Sequence, residues 1–292
     1  DAVSSDVGLL GKSSQYVVGS GGKRIRPRLL LLAHKAVGGE DVSAAIPLAA
    51  TVELVHTASL IHDDINDRAD TRRGRASVNA LHGDKLALLI GDFIFIKLLR
   101  LLAGFRSRAI GILADACRDV IEGETRQMLY RDDLSMTEGT YLSIVTQKTA
   151  SLFSACTMLG ALTGDATERE IGALGEFGLN LGVAFQIRDA TLDIVGEAHT
   201  LGKPVASDLE EGNLSLATLY AARTSEDAMD ALRRRDYGEV LRLVRAVGGI
   251  EYAMRRAGEY VEAAKGALVP IPDSRAKSVL SSMADYVASR DR

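Results

Sequence analysis

The chain has no tryptophan, only two cysteines and five prolines, and little aromatic character, 5% of its 292 residues. Cys117 and Cys156 stand in apolar helical stretches without metal-ligand spacing, which points to buried structural thiols and a reducing cytoplasm. Scarce proline and absent tryptophan, in a chain that is 47% hydrophobic, favour helices over strands and allow an ample core. A large charge of one sign is also missing. The net charge is -4, which excludes a general binder of nucleic acid, and the cations cluster locally at 23–28 and 72–75, as a small anionic ligand requires. The longest apolar stretch, 86–105, is interrupted by Asp92, Lys97 and Arg100, so no transmembrane segment is expected. No signal peptide is visible, although a chain opening on Asp1 leaves a trimmed leader open. No repeat, low-complexity tract or linker interrupts the chain, which predicts one domain over residues 1–292.

What the chain does have is concentrated between residues 51 and 78. The segment starts as an apolar helix and ends in Asp63, Asp64 and Asp67 followed by Arg72, Arg73 and Arg75. Residues three or four apart share a helical face, so Asp63 and Asp67 point the same way, with His56, Ser59 and Leu60 along one wall behind them. Carboxylates at that spacing suit Mg2+, which is typically held by one or two carboxylates plus substrate phosphates. Arginines beside such a site favour phosphate oxygens. Acids for metal and arginines for phosphate describe a diphosphate site; the plain alternative is a solvated helix end with surface ion pairs.

Asp63-Asp64-Ile65-Asn66-Asp67 with Arg72-Arg73-Gly74 resembles the first aspartate-rich motif of the trans-isoprenyl diphosphate synthases, and Glu53 to His62 resembles the helix leading into it. The resemblance extends in order along nearly the whole chain.

Gly19 to Pro27 forms a glycine turn carrying Lys23, Arg24 and Arg26 ahead of a helix expected over 28–37, an anion site through both side chains and free backbone N–H groups. It resembles the family's isopentenyl diphosphate element, which implies that Lys23, Arg26, His56 and Arg73 hold that substrate. Helices are expected over 41–62, 80–103, 108–130, 140–162 and 168–195, with Asp92 as a buried acid, and a helical region over 214–292 with a polar interruption near 224–238. Lys148 lies inside an apolar stretch and needs a counter-charge; the resemblance places Lys148 and Thr149 at a bend against the allylic diphosphate. Gln186, Asp189 and Asp193 share a helical face and resemble the second aspartate-rich motif. Ala190 stands where the family usually has a further Asp, so activity is expected to survive with weaker metal or substrate binding. Loop 196–213 carries Gly202-Lys203-Pro204, whose lysine the resemblance assigns to the allylic diphosphate; Asn213 and Ala217 depart from the family pattern.

The resemblance implies an all-α, single-domain bundle of antiparallel helices around a deep central cavity (the isoprenoid synthase fold), acting as a homodimer. It implies a prenyltransferase using about three Mg2+ ions held by Asp63, Asp67 and Asp189, with Arg72, Lys148 and Lys203 sharing the charge of the departing diphosphate. The allylic cation is then attacked by the double bond of isopentenyl diphosphate, and the released diphosphate takes the proton. Ala58 and Ser59, one turn below Asp63, are both small where short-chain members place an aromatic, and each further turn opens about 5.4 Å of depth. A product of C20 or longer is expected. Three rivals remain. A metal phosphohydrolase using His56, His62 and Asp63 explains neither the arginine pair nor the glycine-lysine loop. A terpene cyclase needs no isopentenyl pocket. A partner-dependent, non-catalytic subunit is motivated by Ala190.

Overall fold

The computed structural model describes residues 2–195 and 207–289. Among them the only strands are Thr71–Arg72 (β1) and Arg75–Ala76 (β2), a two-stranded antiparallel hairpin, and the rest of the regular structure is helical. The fold is all-α, as expected. Its two central helices are α3 (Ala45–Asn66) and α9 (Glu168–Val195). An apolar helix is buried when its hydrophobic residues run round several faces. In α3, Leu48, Val52, Leu54, Val55 and Ile61 are all buried, and in α9 so are Leu174, Phe177, Leu181, Ile187 and Ile194. The segment Val42–Asn66 is long and apolar enough to cross a membrane by composition, but more than half of its most apolar window is buried inside the fold. It is a core helix.

Around this pair stand α1 (Gly8–Val18), α2 (Ile25–Ala36), α4 (Val78–His82), α5 (Asp84–Leu102) and α6 (Ser107–Leu129). The chain continues through α7 (Glu138–Val145), α8 (Ser151–Thr163), the short α10 (Ser207–Glu210), α11 (Leu216–Thr224), α12 (Glu226–Arg233), α13 (Tyr237–Ala246), α14 (Gly249–Ala267) and α15 (Arg275–Ser289). α3 packs on α5 and α2, while α9 packs on α8 and α14. One apolar core is built mainly from α2, α3, α5, α6 and α8 and a second from α7 and α11 to α14; α9 supplies residues to both.

Local chemistry sets the boundaries. Thr137, Ser215 and Ser225 each accept the backbone N–H three residues on, at 3.1 to 3.2 Å, and such caps contribute about 1 kcal/mol apiece. The Ser225 cap starts α12 inside the stretch expected to be a polar interruption; its Ala228, Ala231 and Leu232 are buried while its charges face solvent. Gly83, at φ +79°, divides the helix expected over 80–103 into α4 and α5. The acidic motif is helical to its end, since α3 runs to Asn66 with Asp67 as its C-cap. The helix expected over 140–162 contains one π-helical turn, Thr146–Ala150, between α7 and α8. Asp92, expected to be buried, is 57% exposed, because α5 is apolar on two faces and Asp92 lies on the outer one beside Leu88, Leu89 and Ile96.

Candidate active site

The C-terminal halves of α3 and α9, the start of α2, the hairpin turn and the π-helical turn enclose a cleft of about 700 Å³. One wall is basic. Lys23 is exposed on the loop before α2, and Arg24, with φ 50°, starts that helix while pairing with Glu53. Arg26 lies 5.0 Å over the Phe153 ring. Its Nε is buried without a partner, and burial pulls its pKa below the usual arginine value. Arg73 and Gly74, at φ 55° and 71°, form the centre of the two-residue hairpin turn, a primed geometry that needs positive φ at both positions. That turn swings Arg73 onto the Gly21 carbonyl, to which it donates. His56 sits on α3 between these groups. Burial first, then the charges of Arg26, Arg73, Arg72 and Arg24, hold its pKa well below the ordinary histidine range. His56 is therefore neutral at pH 7, able to donate and accept without adding charge.

Other residues lining the cleft are acidic. Burial raises Asp63 to about 7; Lys148 opposes the shift, and Glu124 and Asp67 add to it. Lys148 reaches Glu124 of α6 at 2.5 Å, and although burial alone would lower the ammonium, Glu124 and Asp63 leave its pKa raised. Thr149 donates to Gln186 at 2.9 Å, which ties the π turn to α9 beside Asp189. Residues on both sides of the turn make its position possible. A Cβ on Gly123 of α6 would lie 2.4 Å from the Lys148 backbone nitrogen, and one on Gly182 of α9 would lie 2.6 Å from the Ala150 Cα. Single π turns interrupt helices frequently at functional sites; this one carries Lys148 and Thr149 into the cleft.

Of the residues singled out in the sequence, Lys23, Arg26, His56, Ser59, Asp63, Arg73, Lys148, Thr149, Gln186 and Asp189 line this one cleft. Three do not. Ala58 is packed in the core at 3% exposure. Arg72 gives Nε to buried Asp64 at 2.7 Å. Asp67 accepts from Arg131 at 2.5 Å. Lys203 lies outside the described residues. Sequence reasoning did not see Glu53, Asp64 and Arg131 as partners, and it placed Glu124 only on a helical face that could line the cavity, as it does. Only the need of Lys148 for a counter-charge hinted at any of them.

Among the described residues no three His, Cys, Asp or Glu side chains form a ready-made metal cage. Asp63 and Asp189 on one cleft, with Asp63 held partly protonated by its surroundings, form a donor set that a hard cation would relieve. Hard oxygen donors, cations and the apolar side chains of Leu60, Val120 and Phe185 lining one cleft make a container for an anionic head on a hydrocarbon tail.

A family model described as polyprenyl synthetase matches residues 7–246. The octaprenyl diphosphate synthase of Haemophilus influenzae is 38% identical, covering 99% of this chain and 91% of its own length. A short chain isoprenyl diphosphate synthase of Methanothermobacter thermautotrophicus is 36% identical over 96% of this chain and 90% of its own. Among solved structures, polyprenyl synthase from Caulobacter crescentus CB15, complexed with calcium and isoprenyl diphosphate, superposes with a TM-score of 0.94 at 33% identity, covering 100% of this chain and 92% of the other.

Proposed function

This chain belongs to the polyprenyl synthetase family, and from that premise we propose how its cleft makes a trans-polyprenyl diphosphate. The observation that carries the reading is that one cleft is lined both by the cations Lys23, Arg26 and Arg73 and by the carboxylates Asp63 and Asp189. The basic wall binds isopentenyl diphosphate, and neutral His56 donates to it without competing for charge. Arg26 is held against Phe153, so its guanidinium is oriented before any ligand arrives. Lys148, fixed by Glu124 and by the π turn, faces the diphosphate of the allylic substrate from the other side. The family resemblance assigns Arg72 and Lys203 to the same diphosphate; Arg72 is paired with Asp64 and Lys203 lies outside the described residues.

Mg2+ would be held by Asp63, Asp67 and Asp189, as many as three ions with the diphosphate in place, and supplies Lewis-acid neutralisation of the leaving group. Preorganised charges such as Lys148 act where negative charge develops, usually the largest catalytic term. The carbon–oxygen bond of the allylic substrate breaks, the isopentenyl double bond attacks the resulting cation, and the departed diphosphate removes the proton. The walls that exclude water from the cation are Leu60, Val120 and Phe185. Ser59 lines the same cleft one turn below Asp63, which supports a tail path past a small residue and a product of C20 or longer.

Further readings accompany this one. Leu88, Leu89, Ile96 and Leu99 of α5 are 48% to 60% exposed along one stripe, with Ile110 and Ile121 of α6 also outward; a stripe of that kind supports a homodimer through α5 and α6. Because α9 feeds both cores, the chain reads as one domain. Burial pushes Cys117 up to about 11 and Cys156 to about 12, in keeping with inert thiols.

The test is direct. Purified protein with Mg2+, an allylic diphosphate and labelled isopentenyl diphosphate should give label in extended prenyl chains of C20 or more. Cyclised product without isopentenyl consumption would replace the reading with a cyclase. An inert protein that gains activity only with a second polypeptide would replace it with a partner-dependent subunit.

A further inference from the structure

The cluster of acids at the end of α3 has a feature that the reaction described above does not use. Arg131, in the connection between α6 and α7, donates through Nη2 to Oδ1 of Asp67 at 2.5 Å. The pair is sheltered, with side-chain exposures of 26% for Arg131 and 20% for Asp67, so solvent screens it only in part. Arg131 is presented from a fixed point. Its neighbour Asp132, at φ 59°, donates its backbone N–H to the Gly212 carbonyl at 2.9 Å and takes Arg235 on its carboxylate at 2.6 Å. A Cβ at Gly212 would lie 2.9 Å from the Asp132 carboxyl carbon, so this junction is closely fitted. The guanidinium can change partner by rotating its side chain while the backbone that carries it stays in place.

A second observation concerns the rest of the guanidinium. The Arg131 Nε is buried and has no acceptor. An arginine is shaped to engage an oxyanion through two parallel N–H groups, and phosphate offers that geometry. Asp67, through its single contact, satisfies only part of the fork. A diphosphate oxygen would use more of it.

We propose that Arg131 makes divalent-cation binding at Asp67 conditional on diphosphate. Without diphosphate, Arg131 neutralises Asp67, and a divalent cation approaching the same carboxylate meets a guanidinium already on it. With diphosphate, Arg131 has an acceptor that also fills its Nε, Asp67 is released, and cation and diphosphate bind together. The coupling is reciprocal: the cation strengthens diphosphate binding by the factor that diphosphate strengthens the cation's. This rests on the reading of Asp67 as a cation ligand given above, and it adds a specific role for a residue outside both aspartate-rich segments.

The test reads cation binding directly. Mn2+ binding is measured by electron paramagnetic resonance on the full chain, with and without saturating inorganic pyrophosphate, in wild type, Arg131→Gln, Arg131→Lys, and Asp67→Asn with and without Arg131→Gln. Circular dichroism checks that each variant is folded. Without pyrophosphate, Arg131→Gln should bind Mn2+ about tenfold more tightly than wild type, within the range usual for coupled sites. Arg131→Lys should stay near wild type. With pyrophosphate the gap should close to about twofold, and in the Asp67→Asn background Arg131→Gln should bring no gain. The proposal is overturned if Arg131→Gln gains nothing without pyrophosphate, or if its gain is the same with pyrophosphate or without Asp67. A wild-type protein that binds no Mn2+ even with pyrophosphate would overturn both this proposal and the cation reading beneath it; wild-type binding with no gain in Arg131→Gln overturns this one alone.

Discussion

Gly123→Ala isolates the contribution of the π turn. The added methyl would lie 2.4 Å from the Lys148 nitrogen and 2.9 Å from both the Lys148 Cα and the Gln147 Cβ. Carbon contacts are comfortable at about 3.5 to 4.0 Å, so the turn must retreat by about 1 Å. The obstacle is backbone, which cannot rotate away. Overpacking of this kind costs about 1 to 3 kcal/mol, and in large domains Tm falls about 2 to 4 °C per kcal/mol. The functional cost should exceed the structural one. Glu124, the partner of Lys148, is the next residue in α6, so pushing the turn away from Gly123 moves Lys148 off Glu124 and Thr149 off Gln186 together. A misplacement of about 1 Å at a reacting centre costs about 100-fold.

The expected result is a 10- to 100-fold fall in kcat at saturating substrates, on the order of the positioning loss above, with the KM for isopentenyl diphosphate little changed because Lys23, Arg26 and Arg73 lie on the other wall. Gly111→Ala is the control. It lies in the same helix with nothing within 4 Å of its Cβ position, and filling it should stabilise by about 0.4 to 1 kcal/mol with unchanged turnover. Steady-state kinetics with both substrates and a thermal melt decide the matter. If Gly123→Ala melts lower yet turns over within twofold of wild type, the π turn does not position the chemistry and the reasoning fails.

Ser59→Phe should shorten the product by at least one five-carbon unit on chromatography, because Ser59 lines the cleft; an unchanged product would move the tail path elsewhere. Ala58→Phe should instead lower Tm first, by overpacking a residue that is 3% exposed. In EDTA, the raised pKa of Asp63 means that the folded chain binds a proton the unfolded chain has released, so stability falls as pH rises from about 4 toward 7. Denaturant melts of Asp63→Asn should lack that decline and show a more stable protein than wild type at pH 7.5, whereas parallel pH slopes would show that Asp63 is not desolvated. Leu89→Asp combined with Ile96→Asp should shift the mass by light scattering from two chains to one; a wild type that is already a single chain would remove the homodimer.

The helices were legible because their apolar periodicity is local. α9 begins at the residue expected, Glu168, and is helical through Val195, the last residue described there, since the spacing of Ile171, Leu174, Leu181 and Ile187 persists through it. The interruptions were less legible. The resemblance put a bend at Lys148 and Thr149, but nothing in the composition of Thr146–Ala150 marks a π turn, and the close approach that accommodates it involves Gly123 and Gly182 on two other helices. Asp92 was misplaced for a related reason. Apolar residues on both faces of α5 look alike in sequence, and only the packing of α3 against one of them tells which face turns outward.

The site divides in the same way, between the kinds of residue and their assignments. A sequence can supply a set of cations near a diphosphate motif, but it does not say which of them the protein itself already neutralises. Here Arg24 is taken by Glu53, Arg72 by Asp64, Arg131 by Asp67 and Lys148 by Glu124, partners between 8 and 64 residues apart in the chain. Arg26 meets an aromatic face and Arg73 a neutral carbonyl instead. The two classes differ in what an incoming anion must do. At Arg26 or Arg73 it adds a charge pair to a cation that has none, whereas at Arg72 or Lys148 it must share the cation with a carboxylate that loses by the exchange. The basic wall can therefore hold a diphosphate unaided, and the acidic wall can do so only when something else compensates Asp63, Asp64 and Asp67. In the proposed reaction a divalent cation arriving with the allylic diphosphate would supply that compensation, which would put the leaving group on the side with more carboxylates.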